Sequence, residues 1–181
     1  MQLEITKDLQ LSSQDSAILD MHSVDVFSAI EKNSKGKYRF LYNLAAQDNS
    51  AYFLHLKFES VDQEVIRMPP VFQDVMRDLI ANARKYTAPG GKVLAGLLDD
   101  GQSLRFTVED TGRGIPEKEL EKVVDFGYRG SNVEDKPTMG GGFGVTKAYW
   151  VTKKFRGRMW IDSGEGRGTR IDIHIPRPKS V

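Results

Sequence analysis

Two pairs of alternating apolar and polar segments, each pair joined by a turn, constrain this chain more than any other feature. Lys92 to Leu98 and Ser103 to Glu109 lie either side of Asp99-Asp100-Gly101-Gln102. Arg158 to Asp162 and Thr169 to Ile175 lie either side of Gly164-Glu165-Gly166-Arg167-Gly168. Period-two alternation marks half-buried strands, and Asp-Gly chemistry suits a hairpin turn. Strands joined by hairpins run antiparallel. The chain must therefore build much of its core on an antiparallel sheet.

Other segments supply what covers that sheet. Residues 51–58 read as a strand, and Glu64-Val65-Ile66-Arg67-Met68 as a second, short one. Pro69-Pro70 opens a helix that runs to about Tyr86, because proline suits a first helical turn. Phe72, Val75, Met76, Leu79 and Ala83 form its apolar stripe. Pro89-Gly90-Gly91 ends it. A short helix is expected near 117–124 and another over 145–155. Residues 126–144 hold six glycines, a density that predicts a mobile loop. The order favours a mixed, mostly antiparallel sheet with helices on one face, a two-layer α+β fold. In residues 14–31, Ile18, Met21, Val24, Phe27 and Ile30 recur at helical spacing, and Tyr38, Leu41 and Leu44 resume it after Asn33-Ser34-Lys35-Gly36. Residues 1–48 are thus expected to form a short helical N-terminal extension, and 49–181 the main domain.

Composition removes several classes of function. Net charge is +1, from 26 basic and 25 acidic residues, so no strong field recommends nucleic acid or an anionic membrane as partner. There is no cysteine, which excludes disulfides, thiol catalysis and cysteine-based zinc sites. His22, His55 and His174 are scattered, with no pair at metal-ligand spacing. No apolar run approaches the ~18–20 residues needed to span a bilayer. The first eight residues lack a signal peptide's apolar stretch, so a cytoplasmic location is expected.

Three clusters carry chemistry. Asp78, Asn82 and Lys85 fall at i, i+4 and i+7 of the 70–86 helix, on one face beside the apolar stripe. They read either as an ordinary solvated face or as a site: an amide oxygen suits Mg²⁺, and a lysine can neutralise a phosphate. Val108-Glu109-Asp110-Thr111-Gly112-Arg113-Gly114-Ile115-Pro116 ends a strand in acid and follows it with two glycines. That is a strand-to-helix turn capped by Asp110 or Thr111, or a carboxylate that accepts from an exocyclic amine such as adenine's where glycines let a flat ligand approach. Gly140-Gly141-Gly142-Phe143-Gly144-Val145 leads into a helix. It is a flexible linker, or a run of backbone amides suited to phosphate. It lacks the Gly-Lys-Ser/Thr ending of a P-loop and follows no strand as a Rossmann turn would.

In this order the clusters resemble the ATP-binding domain shared by DNA gyrase, Hsp90, histidine kinases and MutL, the Bergerat fold, over roughly residues 50–177. Asp78 to Thr87 resembles the asparagine box in its histidine-kinase form, and Glu109 to Pro116 the first glycine box. Phe126-Gly127-Tyr128-Arg129-Gly130 resembles the aromatic lid segment, residues 140–145 the second glycine box, and Gly164 to Thr169 the final glycine and threonine segment.

The resemblance implies ATP and Mg²⁺ as ligands. It implies that Asn82 binds Mg²⁺. Asp110 receives the adenine amine, with Gly112, Gly114 and Thr169 beside it, and Tyr86 lies against the ring. Lys85 reaches the phosphates, the amides of Gly141, Gly142, Phe143, Gly144 and Val145 cradle them after Gly140, and Arg129 swings with the lid. Asp78 stands where glutamate is usual, which shortens a general base by one methylene. Phe143 and Val145 stand where leucines are common. The implied activity is protein-histidine kinase, with γ-phosphate passing to a histidine on a helical phosphoacceptor domain and then to a response regulator. Alternatives are an anti-sigma-type serine kinase, an ATP-gated conformational module, and a non-catalytic binding or dimerisation module. The N-terminal helices would be the dimer contact. His22 lies in an expected helix with Asp25 three residues on, a weak match to an acceptor site; His55 and His174 read as sheet residues.

Overall fold

The computed structural model describes residues 2–6, 30–32, 38–40, 53–61, 66, 68–135 and 142–177. Six strands form one sheet in the order β1-β7-β8-β6-β5-β4. These are β1 (Leu3–Glu4), β4 (Phe53–Ser60), β5 (Lys92–Asp99), β6 (Ser103–Asp110), β7 (Arg158–Gly164) and β8 (Gly168–Pro176). Only β4 and β5 pair in parallel; every other neighbouring pair is antiparallel. The expected mixed, mostly antiparallel sheet is therefore the observed one.

Helix α1 (Pro70–Tyr86) and helix α2 (Gly144–Lys154) cover one face. Alternation decides which face. On β6, Leu104, Phe106 and Val108 are buried, while Arg105 and Thr107 point the other way. Ile171, Ile173 and Ile175 of β8 and Met159 and Ile161 of β7 continue the buried columns. From α1, Phe72, Val75, Met76, Leu79, Ile80 and Ala83 meet them, and Phe72 sits edge-on to Phe106 at 6.4 Å. Burying such a side chain stabilises by about 1.5–3 kcal/mol, so the seam contributes strongly to the fold.

Local chemistry sets the element ends. Pro70 occupies the first position of α1, and Arg84 and Lys85 lie in its last turn, where cations complement the helix dipole. The helix stops at Thr87, whose hydroxyl donates to the Ala83 carbonyl at 2.6 Å. In the β5–β6 turn, Asp100 accepts from the Gln102 and Ser103 amides at 2.9 and 2.7 Å. These bonds hold its carboxyl at about 2.

Several local expectations change. The helical periodicity of residues 14–29 and 41–44 falls outside the described residues. Ile30–Lys32 (β2) and Tyr38–Phe40 (β3), expected as helix, pair instead as an antiparallel two-stranded sheet. Tyr-Arg-Phe is alternating and aromatic, and so short a window satisfies either period. Leu3–Glu4, placed in the helical extension, instead edges the main sheet against β7. Ile5 follows it into the core, 3% exposed. Ile66 and Met68, expected in a short strand, lie outside any strand. The helix near 117–124 is a single 3₁₀ turn, Glu117–Glu119, followed by turns.

Candidate functional site

The alternation that buries Leu104, Phe106 and Val108 continues to Asp110, so the last residue of β6 turns its carboxylate to the core side. Burial is the largest influence on that carboxyl and raises it to about 6, partly offset by backbone hydrogen bonds from Gly112 and Thr169. The Gly112 amide donates to Asp110 Oδ1 at 2.8 Å. Thr169 is the register partner of Asp110 on β8, so the two side chains stand side by side on one face.

Hydroxyl chemistry fixes what this pair presents. Ser163 of β7 is the register partner of Thr169. Its Oγ donates to the Gly168 carbonyl and accepts from the Ile115 amide, each at 2.8 Å. The Thr169 hydroxyl lies 2.9 Å away. Ser163 has one proton, already given to Gly168, so Thr169 donates to Ser163 and keeps only acceptor capacity. The end of the β6–β8 ladder therefore shows two adjacent acceptors, a carboxylate and a hydroxyl. That pair suits a ligand amine.

The first glycine turn packs tightly against its neighbours. A Cβ at Gly112 would lie 2.5 Å from the Tyr86 carbonyl oxygen. Gly114 has φ +70°, and a Cβ there would fall on the Gly164 carbonyl. The turn is also stitched to both neighbours: Arg113 N–H donates to the Tyr86 carbonyl at 3.3 Å, and Gly166 N–H to the Arg113 carbonyl at 2.7 Å. Thr111 does not cap a helix; its hydroxyl accepts from the Lys92 amide at 2.9 Å.

Asp78, Asn82, Lys85 and Tyr86 line the facing side of α1, all partly buried. Lys85 Nζ lies 5.2 Å from the centre of the Tyr86 ring. Burial raises the Tyr86 hydroxyl pKa, while Arg129 and Arg113 oppose that rise and Asp135 adds to it. Helix α2 begins against α1. A Cβ at Gly144 would lie 3.0 Å from Asn82 Nδ2 and 3.6 Å from Asp78 Cβ. Gly144 therefore lies beside the asparagine, at a helix N-terminus whose amides favour anions, while Gly142 lies against Arg129 and the Tyr128 carbonyl. Gly140 and Gly141 lie outside the described residues.

Residues 126–135, expected to belong to a mobile loop, are held at several points. Arg113 Nη2 meets Asp135 Oδ2 at 2.7 Å, and Asn132 Nδ2 donates to the Gly114 carbonyl at 3.0 Å. The Ser131 hydroxyl donates to Glu119 at 2.6 Å. Phe126 stacks on Phe143 at 4.5 Å, joining this segment to the start of α2. Arg129 donates to the Val133 carbonyl at 3.1 Å.

Sequence reasoning missed three participants. Ser163 is a strand residue of ordinary type, found only through its register with Thr169. Asp135 was hidden in the loop. Lys147 is buried on α2 and ion-pairs with Asp78; a lysine in the buried half of an apolar helix was the available signal. His174 lies in β8 as expected, edge-on to Trp160 at 4.6 Å. Among the described residues no helix is long and apolar enough to cross a membrane.

Known proteins are similar to this chain in sequence and fold. Residues 69–179 match the family described as histidine kinase-, DNA gyrase B- and HSP90-like ATPase. The chain is 29% identical to the sensor histidine kinase WalK of Bacillus subtilis over 173 residues, 94% of this chain and 26% of WalK. It is 30% identical to the adaptive-response sensory kinase SasA of Crocosphaera subtropica over 179 residues, 95% of this chain and 44% of SasA. It thus spans between a quarter and a half of these two relatives. In fold it is similar to the mycobacterial sensor histidine kinase MprB, with TM-score 0.53 and 24% identity over 70% of this chain and 86% of that one. The catalytic domain of histidine kinase ThkA gives TM-score 0.52 at 22% identity, over 68% of this chain and 80% of that one. With an acidic, glycine-flanked strand end facing an asparagine-bearing helix, and a family match over more than half its length, the chain belongs to the histidine kinase-, DNA gyrase B- and HSP90-like ATPase family.

Proposed function

We propose that this chain binds ATP with Mg²⁺ and transfers the γ-phosphate to a histidine on a helical acceptor domain, in a two-component system that ends at a response regulator. The observation that carries the reading is the paired acceptor at the β6–β8 end. Asp110 and Thr169 together match the donor hydrogens of adenine's amine, and Gly112 and Gly114 let the turn pack closely enough to hold them there. Tyr86 borders that space from α1.

The phosphate end fits the same ligand. Asn82 offers a hard oxygen to Mg²⁺, which takes few protein ligands and completes its shell with phosphates and water. When bound, the ion neutralises charge on the transferring phosphate. The amides of 142–145 and the Lys85 ammonium provide further positive potential, and Arg129 stands on the segment that borders the site. Asp78 is one turn from Asn82, placed to orient the acceptor or hold its proton. Phosphoryl transfer asks chiefly for such positioning and electrostatics.

The test is incubation with γ-labelled ATP, Mg²⁺ and a histidine-bearing helical hairpin from a sensor kinase. Acid-labile label on the hairpin is expected, lost with Asn82→Ala and kept with His22→Ala. Acid-stable label would point to the serine-kinase alternative. Nucleotide binding without any transfer would leave a binding module and overturn the kinase reading.

A further inference from the structure

Lys147 sits one turn into α2 and is 4% exposed. A buried ammonium is strongly disfavoured without a partner, and an apolar side chain would pack α2 onto α1 at least as well. Its partner is Asp78 Oδ2. The other oxygen of Asp78 lies 3.5 Å from Arg77 Nη2, and Arg77 Nη1 lies 3.0 Å from Asp74 Oδ1. Asp74 is itself 3% exposed. Burial raises its carboxyl, while Arg77 and Lys147 oppose that rise and Asp78 adds to it. Two acids of α1 are thus compensated by one base from their own helix and one from α2.

The direction of the lysine matters. Helical side chains lean toward their own N-terminus, so Lys147 reaches back over the first turn of α2. That turn starts at Gly144, packed beside Asn82 and Asp78.

We propose that Lys147 is a positioning residue for Asp78: by clamping one carboxylate oxygen from α2, it holds the acid in the orientation that transfer requires and ties that orientation to the seating of the second glycine loop. The proposal rests on the reading of Asp78 given under Proposed function. It adds that this acid is not free to rotate. Phosphate bound at the α2 N-terminus and the carboxylate one turn away on α1 are then aligned by the same helix.

The test compares Lys147→Met, Lys147→Arg and Asp78→Asn, and Lys147→Met combined with Asp78→Asn. Nucleotide affinity, Mg-ATP turnover by ADP release, and Tm are measured for each. Lys147→Met is expected to lower turnover about 10- to 100-fold, the scale of a misplaced catalytic group, with nucleotide Kd changed little. Lys147→Arg should recover part of the rate. The double variant should be no slower than Asp78→Asn alone, because the lysine acts through the aspartate.

Full turnover in Lys147→Met, or losses that multiply in the double variant, would overturn the inference and leave the kinase reading standing. Full turnover in Asp78→Asn would overturn the reading of Asp78, and the inference with it. Should Lys147→Met fail to fold, Lys147→Gln keeps length and a donor and carries the same comparison.

Discussion

The two polar ends of the core layer solve different problems. At the β6–β8 end, Asp110 accepts from the Gly112 and Thr169 amides, and the charge acting on it is the like charge of Glu109. Among the described residues no cation opposes the rise of its carboxyl to about 6. At the α1–α2 end, Asp74 and Asp78 are matched by Arg77 and Lys147. Under the proposed function, the uncompensated carboxylate is the one that meets a ligand's donors, and the compensated one is held in place. The same residue type thus stands in opposite surroundings at the two ends.

The largest expected effect breaks the first end. Asp110→Asn keeps the shape and the Gly112 contact but replaces one acceptor oxygen with a donor. Nucleotide affinity should fall about 100-fold, the weight of a hydrogen bond to a charged group. Isothermal titration reads this directly, and unchanged affinity would sink the amine assignment. The same variant should raise the Tm of the nucleotide-free protein near pH 7. The sign follows from the raised carboxyl. Its stabilising, protonated form is fully present below the ordinary value of 3.8 and is lost as pH rises through about 6. Asparagine is neutral throughout.

Next in size is Gly114→Ala. It asks an L-residue to take φ +70° and to share space with the Gly164 carbonyl. A loss of about 2 kcal/mol or more in urea unfolding is expected. A change under about 0.5 kcal/mol would mean that the turn can move away, and that the rigid back wall is wrong.

A pH series sharpens the contrast between the ends. Nucleotide binding that needs ionised Asp110 should hold above pH 6 and weaken about tenfold for each unit below it. The dependence should vanish in Asp110→Asn. The smallest effect is expected from Arg113→Gln. It releases an exposed bidentate pair with Asp135, so Tm should barely move. Proteolysis between 126 and 135 should nevertheless quicken, because that pair holds the segment to the glycine turn.

Much of this was legible in the residue order. Alternation around Gly101 and Gly166 determined two antiparallel hairpins, since period two admits no other buried face. The Phe72-to-Ala83 stripe after Pro70 determined α1. Asp78, Asn82, Asp110 and the glycines were singled out because together, in this order, they resemble the boxes of a known family; each cluster alone also reads as an ordinary helix face, turn or linker. The segments around Leu3, Ile30 and Tyr38 were not legible, because two or three residues fit either period and long-range pairing decides between them.

Tertiary structure alone decided the rest. Ser163 is 53 residues from Asp110, and only strand register brings its hydroxyl network there. Lys147 is 69 residues from Asp78, and only the packing of α2 on α1 makes them a pair. A sequence records which groups a chain owns and the local period that turns them inward. Which group compensates which charge is set by contacts between elements distant in the chain, and those exist only once the sheet and its helices are assembled.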